Sequence, residues 1–323
     1  MTAPDGYLAL TTAAGAWTTG NLGQFEVSGS DAAAFVNRVT TADLSRLPSG
    51  RFAHALMLRD DATILARVTV YRLGGVVMLL VDGAVRAAVW QDLVARKRGT
   101  VRLRDISDDI AVLAVRGPRT IAQLTMRLAP MPRESGDLTH ARLDNVDVFA
   151  GRTTADGPDG LDLYCRGRDL PTLGDALTTL GVPIVSDEAW HLMRLELGTA
   201  RLGVEIDPDD TPVEAGLEHL VALDKGAPFP GEVAYRERVR TGPLRRLVGF
   251  TMPNDHAPRV GDPVSVGGRT VDRVRSTGVS PRAGVIGMTA VPLGADAPGT
   301  VLQIGESGQA VVAALPFLTR GES

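Results

Sequence analysis

Residues 194–231 read RLELGTARLGVEIDPDDTPVEAGLEHLVALDKGAPFPG. The stretch opens as the end of an apolar-periodic helix, in which Trp190, Met193, Leu195 and Leu197 are interleaved with Arg194 and Glu196. Gly198 supplies a stop, because glycine accepts the left-handed turn that closes many helices. A loop follows with Gly203, Glu205, Asp207, Asp209 and Asp210, and Thr211-Pro212 then leads into VEAGLEHLVALDKG. A helix end, an acidic loop and a glycine-broken apolar run are irregular for a core element, and such a backbone commonly goes around something. An ordinary helix–loop–strand joint is equally compatible with the pattern.

Around this stretch lie 323 residues, enough for two or three domains and a sizeable core. Hydrophobic residues at 44% and charged residues at 22% are those of a soluble globular chain, not a disordered one. The net charge of −4 and the lack of a basic block argue against nucleic acid as the main partner. Cys165 is the single cysteine, so there is neither a disulfide framework nor a thiolate metal cage. A reducing, cytoplasmic setting is the simplest expectation. The start, MTAPDGYLALTTAAGAW, lacks the charged head and apolar run of a signal peptide, and no apolar run reaches membrane-spanning length.

Read in order, Gln24–Val27 alternates as a short strand, and Ser30 is placed to cap a helix over DAAAFVNRVTT with Asp31 in its first turn. Three strand-like runs follow, Ala53–Leu58, Ile64–Tyr71 and Val76–Val81, with Asp60-Asp61 and Gly74-Gly75 as turns, which predicts an antiparallel meander. A helix over Ala84–Lys97 and a strand VRLRDIS complete this lobe. A second lobe opens with a buried strand Ala111–Val115, a helix Arg119–Leu128, strands Ala141–Phe149 and Leu161–Cys165, and a helix Leu170–Leu180. Asp187 is expected to cap the helix that reaches Arg194, and helices are expected only within Asp31–Arg201. After Thr241-Gly242-Pro243 the composition changes to short strands split by Gly, Pro and Asp, an all-β module from about Leu244. The fold class is thus α+β: two lobes of antiparallel sheet and helix at about 1–108 and 109–241, and a β-barrel or sandwich over 242–323.

The opening stretch resembles the aminomethyltransferase family, which contains the T-protein of the glycine cleavage system and its folate-binding relatives. The matching letters, in order, are Arg194, Leu195, Glu196, Gly198, Gly203, Glu205, Asp207, Thr211-Pro212, Glu214-Ala215-Gly216-Leu217, Asp224-Lys225-Gly226, Phe229 and Gly231. Ser276–Pro281 and the ALPF at Ala314–Phe317 match the family's C-terminal barrel, so the likeness covers nearly the whole chain apart from the long N-terminal lead-in. The resemblance implies a three-lobed fold around a central cleft that holds tetrahydrofolate, its pterin deep and its glutamate tail at the mouth. It also implies a carboxylate directing one-carbon transfer near the reacting nitrogens.

Carried over one position at a time, the likeness is incomplete. The family's catalytic aspartate lies in a strand that ends in Val-Tyr; aligned on Val70-Tyr71, Ala66 and Arg67 stand where two aspartates are expected. Tyr71 is kept. Asp82 replaces an asparagine, and is either a displaced acid–base group or a helix N-cap. Asp60-Asp61 reads as a solvated hairpin turn. In the pterin-reading loop Pro158 and Asp162 stand at two glutamates and Ala155 at a tyrosine, while Tyr164 matches. Arg194 is kept as an anionic anchor, with a salt bridge to a nearby acid as the plain alternative. The expected site is therefore Asp82 and Arg67 for catalysis, with Arg194, Tyr71, Asp162 and Tyr164 for the cofactor. His54, His140, His191, His219 and His256 show no metal-ligand spacing; His219 sits in an apolar run, and His191 shares a helix face with Arg194.

Three functions remain open at this stage. The first is tetrahydrofolate-dependent transfer of a methyl, methylene or aminomethyl group, or demethylation, but not glycine cleavage itself. The second is a folate-independent enzyme on the same fold acting on an anionic small molecule. The third is a non-catalytic folate-binding or iron–sulfur maintenance protein, whose relatives carry a cysteine where this chain has Ala227.

Overall fold

Alternation along the strands decides this architecture, because each strand sends every second side chain to a helix-covered core and the others to the opposite face. The computed structural model describes residues 3–155, 157, 159–253, 257–306 and 308–318. The chain starts with a short helix α1 (Tyr7–Thr12) and strand β1 (Gly15–Thr18). The first sheet follows: β2 (Leu22–Ser28), α2 (Ala32–Val39), β3 (Arg51–Leu58), β4 (Ile64–Leu73), β5 (Val76–Asp82), α3 (Arg86–Arg96) and β6 (Arg102–Asp105). Its strand order is β3-β4-β5-β2-β6, all antiparallel. Phe35, Val36 and Val39 of α2 and Val89 and Leu93 of α3 pack on Phe25, Val27, Val68, Val70, Val77, Leu79 and Val81.

The second sheet contains β7 (Ile110–Arg116), β8 (Leu128–Ala129), β9 (Leu138–Leu143), β10 (Val146–Thr153) and β11 (Gly160–Arg166), with helices α4 (Thr120–Leu124), α5 (Leu170–Thr179) and α6 (Asp187–Glu196). The order is β1-β7-β11-β10-β9-β8, so residues 15–18 complete the sheet of the second lobe and the lobes are not split by a single cut near residue 108. Leu124, Leu173 and Leu177 cover one face against Leu113, Val115, Leu161 and Leu163. The uncovered faces of the two sheets meet, with Phe52 and Tyr71 packed on Val112, Leu138 and Tyr164. After helix α7 (Glu232–Thr241) the third sheet is built from β12 (Arg245–Met252), β13 (Pro263–Val266), β14 (Arg269–Arg273), β15 (Ser276–Ser280), β16 (Gly284–Pro292), β17 (Val301–Ile304) and β18 (Gly308–Ala313). Its order, β14-β13-β17-β18-β12-β16-β15, encloses its own core around Phe250, Val264, Leu302 and Ile304.

Several expected elements differ. The strand read over Ala141–Phe149 is a hairpin, β9–β10, turning at Asp144-Asn145, where Asp144 takes φ 52°. Asp and Asn accept the left-handed region through local side-chain hydrogen bonding, and this turn signal outweighs an unbroken apolar alternation. Helix α4 spans only five residues. Among the described residues two α-helices lie outside Asp31–Arg201: α1, and α7 with Glu232 paired to Arg236 one turn later. Asp31, not Ser30, is the N-cap of α2, and its carboxylate accepts from the Thr100 N–H at 2.7 Å. Ser186, not Asp187, caps α6 by accepting from Ala189 N–H at 3.2 Å. His219 is exposed on a 3-10 turn, and Pro158 and His256 lie outside the described residues.

Candidate functional site

The acidic loop of residues 199–216 is a strap that ties three parts of the chain together. Arg194 on α6 is buried and donates to both carboxylate oxygens of Glu205, at 2.9 and 2.6 Å, and to the Thr199 carbonyl. Glu205, fully buried, also accepts from the Arg201 backbone N–H at 2.9 Å. Downstream, Asp207 and Asp210 receive the buried Arg275 of the third sheet at 3.1 and 2.6 Å, and Asp210 receives Arg245 at 2.8 Å. Glu214 accepts from Thr211 N–H and hydroxyl, both at 2.9 Å, and fixes the Thr-Pro turn. Lys225 donates to the carbonyls of Asn37, Thr40 and Ala42, closing the buried C-terminal end of α2. Glu196, two residues beyond Arg194, accepts from Tyr7 hydroxyl at 2.6 Å, from Ser280 hydroxyl and from Arg282 at 2.9 Å. Most of the motif that carried the family resemblance is thus scaffold.

The strap closes one side of a cavity of about 460 Å3 between the bare faces of the first two sheets. That volume lies within the range of small-molecule sites. The register of β4 decides its chemistry. Ala66 is fully buried in the core of the first lobe, whereas Arg67 and Thr69 line the cavity. A β-bulge precedes them: Met57 pairs with Ala66 but Leu58 with Ile64, so Leu65 is the extra residue. Past that bulge Arg67, Thr69 and Tyr71 share a face, opposite Ala66, Val68 and Val70.

From the second sheet come Asp162 and Tyr164 of β11 and Arg116 of β7, again the residues that alternate with core positions. Arg116 is buried and donates to Asp162 at 2.8 Å and to the Leu161 carbonyl at 3.0 Å, with its guanidinium 5.8 Å from the Trp190 ring. Trp17 stacks on Trp190, with centroids 4.8 Å apart and ring planes 11° from parallel, and Trp17 Nε1 donates to Asp187 at 2.7 Å. His54 meets the Thr69 hydroxyl at 3.1 Å on the facing wall.

Five of the six residues singled out from sequence, Arg67, Asp82, Asp162, Tyr164 and Arg194, line this cavity. Tyr71 lines a second cavity and is hydrogen-bonded through its hydroxyl to that of Tyr164, which borders both. Burial raises the pKa of both phenols, so the pair stays protonated at neutral pH and supplies no base. Asp82 is at once an N-cap, accepting from Ala84 N–H at 2.9 Å, and the partner of Arg201 at 2.9 Å. Neither role is that of an unengaged base. Arg194 is held by a buried acid from the strap, not by an acid on its own helix face, and it also donates to His191 Nδ1 at 3.0 Å. Burial and the adjacent Arg194 lower the His191 pKa, which keeps the ring neutral and able to accept. Asp60 and Asp61 are at the β3–β4 turn, where Asp60 pairs with Arg96 and Asp61 accepts from Thr63.

The cavity wall carries four arginines, Arg67, Arg116, Arg194 and Arg201, against two aspartates, Asp82 and Asp162. Sequence reading missed Arg116, Arg201 and the Trp17–Trp190 pair. For Arg116 the signal was present: it stands one strand period beyond Ala114, opposite in parity to Leu113 and Val115. No group of three or more His, Cys, Asp or Glu suited to a metal ion occurs among the described residues. No helix of the described residues is long and apolar enough to cross a membrane.

With this geometry in view, the comparisons are consistent along the chain. Residues 4–225 match the GCVT N-terminal domain and residues 245–318 the glycine cleavage T-protein C-terminal barrel domain. An aminomethyltransferase of Rubrobacter xylanophilus is 30% identical over 325 residues, covering 97% of this chain and 85% of the relative. One of Streptomyces avermitilis is 32% identical over 343 residues, covering 98% and 89%. The crystal structure of the glycine cleavage system aminomethyltransferase T from Bartonella henselae superimposes with a TM-score of 0.88 at 25% identity, over 97% of this chain and 89% of that one. Two family domains in series, relatives alike from end to end and a shared three-sheet fold place this chain in the aminomethyltransferase (glycine cleavage T-protein) family.

Proposed function

We propose that the larger cavity takes tetrahydrofolate and that the chain moves a one-carbon unit between this cofactor and a small substrate, in a reaction other than glycine cleavage. Family membership supports the folate-dependent class. The observation that carries the departure is the register of β4: Ala66 is turned into the core and Arg67 lines the cavity. A cation there opposes the developing positive charge of aminomethyl transfer. At about 4 Å and an effective dielectric of 20 the cost is about 4 kcal/mol, close to a thousandfold in rate.

The residues present fit a folate. Asp162, oriented by Arg116, offers a carboxylate to the donor edge of a pterin, and the stacked Trp17–Trp190 pair and Tyr164 offer flat apolar walls. Arg67 and Arg201 suit the carboxylates of the glutamate tail. When bound, tetrahydrofolate supplies ring nitrogens that accept or release the one-carbon unit. The protein orients the ring through Asp162, neutralises the tail and excludes water at the Tyr71–Tyr164 pair.

A second reading is an enzyme that has kept the cavity for another anion, favoured by the place of Arg67 on its wall. An iron–sulfur role has less support, since Cys165 is 3% exposed and burial pushes its thiol up to about 11. The deciding experiment titrates 5-formyltetrahydrofolate into the protein and follows quenching of the cavity tryptophans. Saturable binding with a dissociation constant below about 100 μM supports the folate reading. No binding at millimolar ligand rejects it in favour of the second.

A further inference from the structure

Three arginines of the larger cavity hold carboxylates, and the three pairs differ in how far water reaches them. The side chains of Arg194 and Glu205 are 5% and 0% exposed, and those of Arg116 and Asp162 2% and 16%. Arg201 and Asp82, 2.9 Å apart, are 43% and 36% exposed. Both also line the cavity. A pair that borders the cavity and bulk solvent at once stands at the mouth.

The backbones of these two residues are pinned. Arg201 N–H donates to the buried Glu205 carboxylate at 2.9 Å, and its carbonyl accepts from Glu205 and Ile206 N–H at 3.1 and 3.0 Å. Asp82 ends β5, opposite Leu22 of β2; its Oδ1 caps the Ala84 N–H, and its Oδ2 meets Arg201. Breaking a buried pair strands a charge without a partner and is costly. An exposed pair contributes little, because water replaces either member. Of the three, the Arg201–Asp82 pair is therefore the one that can exchange its carboxylate at small cost.

We infer that Asp82 sets the cavity's affinity for the anionic end of its ligand, by occupying Arg201 until a ligand carboxylate takes its place. The inference rests on the folate reading, in which that carboxylate belongs to the glutamate tail. The Arg201 guanidinium offers the incoming carboxylate the same fork that it offers Asp82. Asp82, once released, keeps its cap on Ala84 and turns its second oxygen to water. A ligand without a tail leaves the pair intact, so Asp82 bears on the tail and not on the ring.

Two probes separate tail from ring: 5-formyltetrahydrofolate, which carries the tail carboxylates, and 6-methyltetrahydropterin, which has none. Calorimetry on the full chain reads affinity, and a thermal melt confirms folding. Asp82→Asn keeps an oxygen to cap Ala84 but loses the charge. It is expected to bind 5-formyltetrahydrofolate about 3- to 5-fold more tightly than the unaltered chain, the worth of one exposed ion pair, and the pterin equally well. In an Arg201→Ala background the same change gains less than about twofold, because the contested cation is gone. A gain under twofold in Asp82→Asn alone, or a loss, overturns the inference and leaves the folate reading standing. So does an undiminished gain in the Arg201→Ala background, or an equal gain for the pterin. An absence of 5-formyltetrahydrofolate binding to the unaltered chain overturns both.

Discussion

Replacing Arg67 by alanine tests the charge logic of the larger cavity at one atom group. The side chain stands on β4 between positions that fill the core, but itself faces the cavity, so its removal leaves Val68, Val70 and Ala66 in place. A carboxylate about 4 Å from a guanidinium gains about 4 kcal/mol at an effective dielectric of 20. Arg67 is only half-buried, so solvent reduces that figure, and about 1.5–3 kcal/mol is the range for a hydrogen bond to a charged group. The expected loss is about 10- to 150-fold in affinity for 5-formyltetrahydrofolate. Arg67→Lys keeps the charge but loses the two-pronged fork, and is expected to fall between the two. Affinity of the unaltered protein drops as salt rises, and the slope is shallower for Arg67→Ala. Calorimetry or tryptophan quenching reads all three, with a thermal melt to confirm folding. If Arg67→Ala binds within twofold of the unaltered protein at low salt, Arg67 meets no anionic ligand group and the charge argument is wrong.

Three further outcomes follow from the same geometry. With lipoylated carrier, reductase and tetrahydrofolate supplied, glycine cleavage is expected about a thousandfold or more below an authentic T-protein; activity within tenfold contradicts the role given to residues 66 and 67. Glu205→Ala leaves the buried Arg194 without its counter-charge and is expected to cost about 3–5 kcal/mol, a fall in melting temperature of about 4–7 °C; a fall under 2 °C refutes the strap as a stabilising element. The His191 pKa is lowered in the folded chain, so the unfolded chain takes up the proton first as pH falls. Stability from this group is present above about pH 6.5 and is lost as pH drops through the folded value; urea melts at pH 7.5 and 5 show a larger loss in the unaltered chain than in His191→Leu.

The sequence made the meander of β3, β4 and β5 and the onset of the C-terminal sheet legible because alternation and turn residues agree there. It misled where they conflict: the β9–β10 hairpin turns at Asp144-Asn145 with apolar residues alternating on either side. Helix α7 escaped notice because it buries only Tyr235 and presents a polar surface with little periodicity. The site was legible as a set of residues, since five of six line one cavity, but not as chemistry. Alignment alone could not tell whether Ala66 or Arg67 faces the ligand; the parity of β4 beyond its bulge does. Nor could it foresee that Glu205 engages Arg194, a pairing between a helix and a loop eleven residues on. The β1 strand was out of reach for a different reason: its partner β7 is about a hundred residues away, and local pattern carries no such information.

The helix layer on one side of each central sheet and the cavity on the other divide the chain's positions into two groups that answer to different demands. Residues 66, 68 and 70 belong to the core of the first lobe, while 67 and 69 line the larger cavity and Tyr71 packs with Phe52, Leu138 and Tyr164 between the two sheets. A substitution at 67 or 69 therefore changes what the pocket recognises at little cost to the core. Arginine at position 67, beside an alanine sealed in the core, thus alters the wall of the pocket without altering the core next to it.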